Sequence, residues 1–454
     1  MFLPIRPART IGLLCLWLAF NTSAGSQQAT NAQSAFDAGE YSRALELALP
    51  AAKRGEPAAS YMVGLIYDRG LSGKADPAAA RAHLAVAAKA GDARAQVALG
   101  ANLLAAQGDA RDPLGAVELF RKAAESGDRE GQSWLGHAYQ HGLGVPQDHA
   151  TAARFYRMAA TQGHAAAQNN LGFLFQNGLG VERDYAQALR WYLSAAEAGD
   201  GVAHFNLGVL FEHGLGVQQN FAEALKRYRA AADMGQPKAQ AAIGSLYARG
   251  AGVRRDFAEA FKWYSAAADA GDASAINGLA SFYLYGLSVK KDPTIAARHY
   301  RKAADLGFAE AQNNLGFFYQ QGTGVPQDHG EAMKWYRLAA AQDYAVAHYN
   351  IAVLYARGLG VKRDFTEAAK WHLSAAQLGN VPAQFSLSGM YLEGQGVAKD
   401  LPRAYTWAEI AMRSGFDGAA ARLDAIMQQL SPAQLTRAQG LVKRCLESEM
   451  RECR

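Results

Sequence analysis

A chain of 454 residues, half of them apolar and 19% charged, can bury a substantial core and is not disordered by composition. Its formal charge of +5 falls to +3 once Arg6 and Arg9 are set aside, too mild a balance to argue for a nucleic-acid partner.

The first predicted element is an export signal. Arg6 and Arg9 precede the apolar run from Ile11 to Phe20, and the small residues of NTSAG follow it. The run is shorter than the roughly 20 residues a spanning helix needs, and no later segment is long and apolar enough. Thr22 and Ala24 suit the small positions of a cleavage site. Residues 1–24 are therefore expected to be removed, leaving a mature chain that starts near Gly25 and lies in the periplasm or outside the cell. An uncleaved N-terminal anchor is the alternative. Cys15 stands behind Leu14 inside the run, which argues against lipid attachment.

Residues 25–55 are expected to form an N-terminal capping helix pair, with Glu40 at the capping position and Ala44 at a position occupied by Ala throughout the chain. From 56 to 415 one period governs everything. Steps of 36 from Gly172 give Gly64, Gly100, Gly136, Gly172, Gly208, Gly244, Ala280, Gly316, Ala352 and Ser388, ten units without insertion or deletion. Counting from that small residue, an Ala five before, a large aliphatic one before and an aromatic three after share one helical face. A glycine inside a helix costs about 1 kcal/mol relative to Ala, so its recurrence implies close packing against that backbone.

Six and eight residues after the origin come loop glycines, as in LGFLFQNGLGVERD. Taken alone, Gly178-Leu179-Gly180 suggests a phosphate-binding loop. Recurring along the chain, it reads as an interhelical turn whose first glycine is a left-handed helix end. Twelve after the origin stands Asp or Asn, from Asp76 to Asp400, a residue type that caps a helix start. Glu223, Glu259, Glu331 and Glu367 follow such caps by three residues and predict capping boxes. The second helix then carries an invariant Ala, from Ala80 to Ala404, and aromatics such as Trp191-Tyr192 that read as core.

The pattern A-x3-L-G-x2-[YF]-x2-G-x-G-V-x2-D-x3-A-x2-W-Y-x2-A-A-x2-G, nearly complete in Ala167 to Gly199 and in Ala311 to Ala340, resembles the Sel1-like repeats, relatives of the tetratricopeptide repeats. The resemblance implies an all-α, right-handed superhelical solenoid of antiparallel helix pairs with 36-residue repeats. The second unit departs most: Leu103, Ala106 and Asp109 replace the aromatic, the first loop Gly and the Val, which puts its turn in doubt but not its helices. As to function the resemblance implies a general binding scaffold.

Residues 416–454 are expected to form C-terminal capping helices, the last starting at Ser431-Pro432. Cys445 and Cys453 would lie about 12 Å apart along one continuous helix, beyond disulfide reach. A bridge therefore requires a turn after about Leu446; two free thiols are the alternative. Cysteine-rich relatives are similar in bridging this spacing across an interhelical turn, and that likeness favours the disulfide.

Sites of chemistry are sparse. His137 and His141 have the i, i+4 spacing of two metal ligands, with His149 and His164 nearby but no third ligand placed by sequence. HExxH, G-x-S-x-G and CxxC are missing, and GQSWLG at Gly131 misses the nucleophile pattern by one residue. No cofactor and no enzyme activity are expected; a penicillin-related hydrolase, suggested by cysteine-rich relatives, is the unfavoured alternative. Lys74, Arg111, Arg183, Arg254, Arg255, Lys290, Lys291, Lys362, Arg363 and Lys399 fall before the caps on one edge. They suggest a second alternative, a scaffold or regulator of exopolysaccharide production that binds an anionic polysaccharide.

The favoured reading is a protein- or peptide-binding scaffold in the bacterial envelope. In a stacked helix-pair solenoid the first helices line the concave side. Positions three and two before the origin and one, four and five after it fall outside the core set and are expected to face that groove. Asn170, Asn206, Asn314 and Asn350 share one such position, and a carboxamide both donates and accepts, so they suit an extended peptide backbone. Related tetratricopeptide grooves are similar in using Asn. Phe173, Phe205, Phe317, Tyr349 and Phe385 offer apolar anchors, and Arg249 and Arg357 a partner for a carboxylate. The alternative is that the Asn residues only bond neighbouring helices.

Overall fold

The computed structural model describes residues 23–453. The export signal expected over residues 1–24 lies outside them but for its last two positions, and the expected cut near Gly25 falls in the first turn of the helix Ser23–Asp37. Among the described residues there are 24 α-helices, one 3-10 turn at Gly108–Ala110 and no strand. The helices are arranged as consecutive packed pairs.

The pair Ala165–Asn177 and Tyr185–Glu197 shows why this sequence turns where it does. Gly178 ends the first helix at φ 67° and returns its N–H to the carbonyl of Leu174. Gly180, also at φ 67°, presses on the preceding pair: a Cβ there would lie 2.2 Å from the carbonyl carbon of His149. Both glycines are thus occupied by chain geometry. Asp184 then accepts the N–H groups of Ala186 and Gln187 and opens the second helix. Every residue expected as such a cap, from Asp76 to Asp400, accepts at least one backbone N–H.

The expected capping boxes are only half formed. Glu223, Glu259, Glu331 and Glu367 donate their N–H to the cap. Their carboxylates run along the helix instead, to Arg227, Lys262, Lys334 and Lys370. A full positive charge one turn away attracts a carboxylate more than a neutral N–H does. Glu40 likewise makes no side-chain cap bond and pairs with Arg43. A complete box occurs at Ser431 and Gln434, where the third residue is a neutral amide that no cation draws away.

Packing explains the recurrent glycine. A Cβ added at Gly136, Gly172 or Gly316 would lie 2.7–2.8 Å from the ring of Tyr156, Tyr192 or Tyr336 in the second helix of the same pair. The invariant Ala of the second helix is fully buried in all ten pairs, as the core reading requires. In the second repeat, Ala106 ends the first helix in extended backbone and Gly108–Ala110 forms a 3-10 turn, yet the helices Ala93–Ala105 and Pro113–Glu125 keep their register.

The chain divides into two compact units, one up to Gln236 and one from Pro237. The first contains Ser23–Asp37 and Tyr41–Lys53, followed by five pairs. The second contains five pairs and then Ala419–Met427 and Pro432–Glu447. After Glu447 the backbone turns through Glu449 and Met450, both at positive φ, and returns Cys453 to Cys445. The two Cα atoms are 4.9 Å apart and the sulfurs are bonded, inside a cluster with Tyr405, Ile410 and Val442.

Candidate functional site

Within each unit neighbouring first helices touch one another, as Ala93–Ala105 does Arg129–His141 and Pro237–Arg249 does Ala273–Tyr285. This crowded side is the inner face on which the partner site is expected. Much of it is committed to holding the helices together. Asn206 donates to Asn169 at 2.8 Å, Asn350 to Asn313 at 2.9 Å and Asn314 to Asn277 at 3.2 Å, each across to the preceding first helix. Asn170 accepts from Asn169 at 3.4 Å. All four are half-buried.

Two of the positions expected to face the groove do not do so generally. Three before the origin, Val97, Ser133, Asn169, Ala241, Asn277 and Asn313 are buried, because the adjacent first helix covers them. Four after it, Gln140, Gln176 and Gln320 turn to their own second helix and accept the hydroxyls of Tyr156, Tyr192 and Tyr336 at 2.7–2.9 Å. Glu212 takes Tyr228 in the same way at 2.6 Å. These bonds leave the tyrosines buried but satisfied. The aromatic set divides accordingly. Phe205 packs on Tyr228 and Tyr349 on His372, while Phe385 is sandwiched between Phe416 and the guanidinium of Arg422. Phe173 and Phe317 remain 39% and 47% exposed, and Arg249 and Arg357 are exposed as well.

Two further periodic devices escaped the sequence reading. Four residues before the origin, buried Gln96, Gln168, Gln312 and Gln384 donate to a carbonyl in the last turn of the preceding second helix, at 3.1–3.3 Å. The signal was a recurrent Gln beside the recurrent Ala. An Arg next to the core Tyr of the second helix meets the aromatic of the following first helix: Arg337 donates to the Tyr355 hydroxyl at 3.1 Å, and Arg301 donates to that of Tyr319.

The His137 and His141 rings lie 4.4 Å apart. Burial, and then the neighbouring imidazole, push His137 down to about 4. His164 caps the next helix through the N–H of Ala167 and meets Glu130 at 2.9 Å. Among the described residues no three His, Cys, Asp or Glu side chains converge to hold a metal ion. The basic residues before the caps are all exposed. Arg183, Arg255 and Arg363 lie over the rings of Tyr185, Phe257 and Phe365, at 5.4–5.9 Å.

The Sel1 repeat model matches ten consecutive segments, from 57–92 to 381–416, without a gap. The crystal structure of c5321, a protective antigen present in uropathogenic Escherichia coli strains and displaying an SLR fold, is 31% identical. That match covers 95% of this chain and 93% of that one, with a TM-score of 0.60. A Sel1 repeat protein from Oxalobacter formigenes is 34% identical over 54% of this chain and 96% of its own, with a TM-score of 0.48. No curated protein matches the chain. With ten repeats matched in register and the c5321 relative covered nearly end to end, the chain belongs to the Sel1 repeat family.

Proposed function

We propose that this Sel1 solenoid is exported to the bacterial envelope and there binds a protein or peptide along the inner face of its first helices, as a scaffold and not as an enzyme. Sel1 repeats typically mediate protein–protein interaction. The observation that carries the reading is the exposure of Phe173 and Phe317. These two large rings occupy the same position of their repeats and stand in solvent on a face that also exposes Tyr285, while Phe205, Tyr349 and Phe385 are packed away. Exposed aromatics anchor interfaces because they bury much area at little entropic cost. The asparagines then have a supporting role: they hold adjacent first helices at the spacing that presents the rings. The apolar run after Arg6 and Arg9, and the likeness to a protective antigen, support export.

Photo-crosslinking in intact cells tests the reading. A benzophenone side chain at 173 or 317 is expected to capture one discrete partner, and the same group at the exposed Leu338 on a second helix is not. Capture from 338 alone, or from none of the three, would reject the inner face. Retention of the chain in the cytosol after the outer membrane is opened would reject the location.

A further inference from the structure

Two adjoining grooves run over the second helices of the first unit. One, of about 360 Å³, is lined by Ala153, Arg154, Arg157, Met158, Gly180 and Val181. The other, of about 650 Å³, shares Arg157 and is bounded by Phe175, Arg183 and Tyr185. Three guanidiniums therefore border one short path. Among the described residues none of the three has a carboxylate partner within ion-pair distance.

Arg157 differs from its counterparts by a single ring. At the equivalent places in other repeats, Arg301 and Arg337 give an N–H to a tyrosine hydroxyl. Under Arg157 the ring is Phe175, 5.8 Å from the guanidinium carbon, and it has no hydroxyl to offer. The ring meets the guanidinium in a cation–π contact and takes none of its N–H groups, which stay open to an oxyanion. Two acids border the second groove. Asp184 is engaged by its own helix N-terminus and Glu182 is exposed, and the first groove has no acid on its lining.

Beneath this cationic rim the floor is apolar: Ala153, Val181 and Met158, which is 41% exposed. A ligand that fits presents carboxylates along one edge and C–H surface along the other. An acidic peptide would leave its backbone amides against Ala, Val and Met without partners, which is costly. We propose that these grooves bind an acidic polysaccharide, through the carboxylates of successive uronic-acid sugars held by Arg154, Arg157 and Arg183. This outer-face site is independent of the inner face and of its partner.

Calorimetric titration of the full chain with tetra-galacturonate, against oligo-glutamate of equal charge, tests the site at physiological salt. Tetra-galacturonate is expected to bind, and oligo-glutamate at least about tenfold more weakly. Arg157→Gln is expected to weaken tetra-galacturonate about tenfold, and Phe175→Tyr, which returns a hydroxyl to Arg157, several-fold. Lys362→Gln with Arg363→Gln, on the other unit, should leave binding unchanged. If Arg157→Gln lowers the melting temperature, the exposed pair Arg154→Gln and Arg183→Gln gives the same readout. No binding of tetra-galacturonate, equal binding of oligo-glutamate, or indifference to the arginine and Phe175 variants would overturn the proposal.

Discussion

The repeat built on Gly172 and Tyr192 and the repeat built on Ala352 and His372 share one register and the same chemistry at both ends. Their first helices stop at left-handed Gly178 and Gly358, their second helices start on Asp184 and Asp364, and each carries a half-buried Asn, 170 or 350. They differ in the middle. Tyr192 covers Gly172 and gives its hydroxyl to Gln176 at 2.9 Å. In the other repeat Ala352 brings its own Cβ, the second helix answers with the smaller His372, and Ala356 stands where the acceptor was. Volume has moved from one helix to its partner, and the pair still closes. Hydrogen-bond satisfaction did not move with it: Nδ1 of His372 is buried without a partner, and burial pushes this imidazole down to about 4. Between these two repeats the summed volume is nearly conserved, whereas polar satisfaction depends on a third residue.

The largest effect expected from breaking the comparison is steric. Gly172→Val places a branched side chain whose Cβ starts 2.8 Å from the Tyr192 ring. It should cost about 3 kcal/mol in denaturant unfolding. Gly172→Ala should cost less, and Tyr192→His should recover part of that loss by recreating the Ala352–His372 arrangement. A Gly172→Val chain that unfolds at the wild-type midpoint would show that the ring and the glycine do not constrain each other.

Acid sharpens the comparison next. His372 titrates near 6.5 when unfolded and at about 4 when folded. Below pH 6.5 the unfolded chain takes up a proton that the folded chain refuses, so stability falls as pH drops from 6.5 towards 4. By pH 5 the share of His372 alone is expected to reach about 2 kcal/mol, read as the difference in urea midpoints between the wild-type chain and His372→Phe across that range. His372→Phe should flatten part of the slope, leaving a remainder to His137, whose folded-state value is also about 4. Identical slopes in the two chains would remove His372 from the account.

The smallest effect concerns the hydroxyl. Tyr192→Phe should cost about 1 kcal/mol, because Gln176 loses its donor. With Gln176→Leu already in place the same change should cost much less, and the coupling measured by that cycle is the hydrogen bond itself. Additive losses would mean that the bond contributes nothing.

Much of this was legible in the chain because it repeats. The Tyr–Gln bond follows the same repeat. Tyr156, Tyr192, Tyr228 and Tyr336 have Gln or Glu sixteen residues earlier; Leu84, Phe120 and His372 have Asp68, Leu104 and Ala356, and Tyr264 and Tyr300 have Ala248 and Leu284, so the Gln or Glu occurs only with Tyr but not with every Tyr. That association was available by comparing the repeats with one another. The Asn ladder was legible as a row, but its direction was not. Whether Asn206 reaches solvent or Asn169 depends on how far one first helix is rotated against the next. The 36-residue spacing leaves that rotation undetermined.

The sequence by itself determined where each helix starts and stops, which face is core and how many pairs there are. Those features come from interactions within a few residues: a carboxylate on a free N–H, a glycine at positive φ, an apolar row at helical spacing. Only the tertiary structure decided what the other faces do. Neighbouring first helices covered positions that had seemed free for a partner, salt partners took the glutamates of the expected capping boxes, and Phe175 left Arg157 unsatisfied beside two grooves. Each of those outcomes depends on a residue brought close by packing, so it is a property of the assembled pairs and not of any one segment.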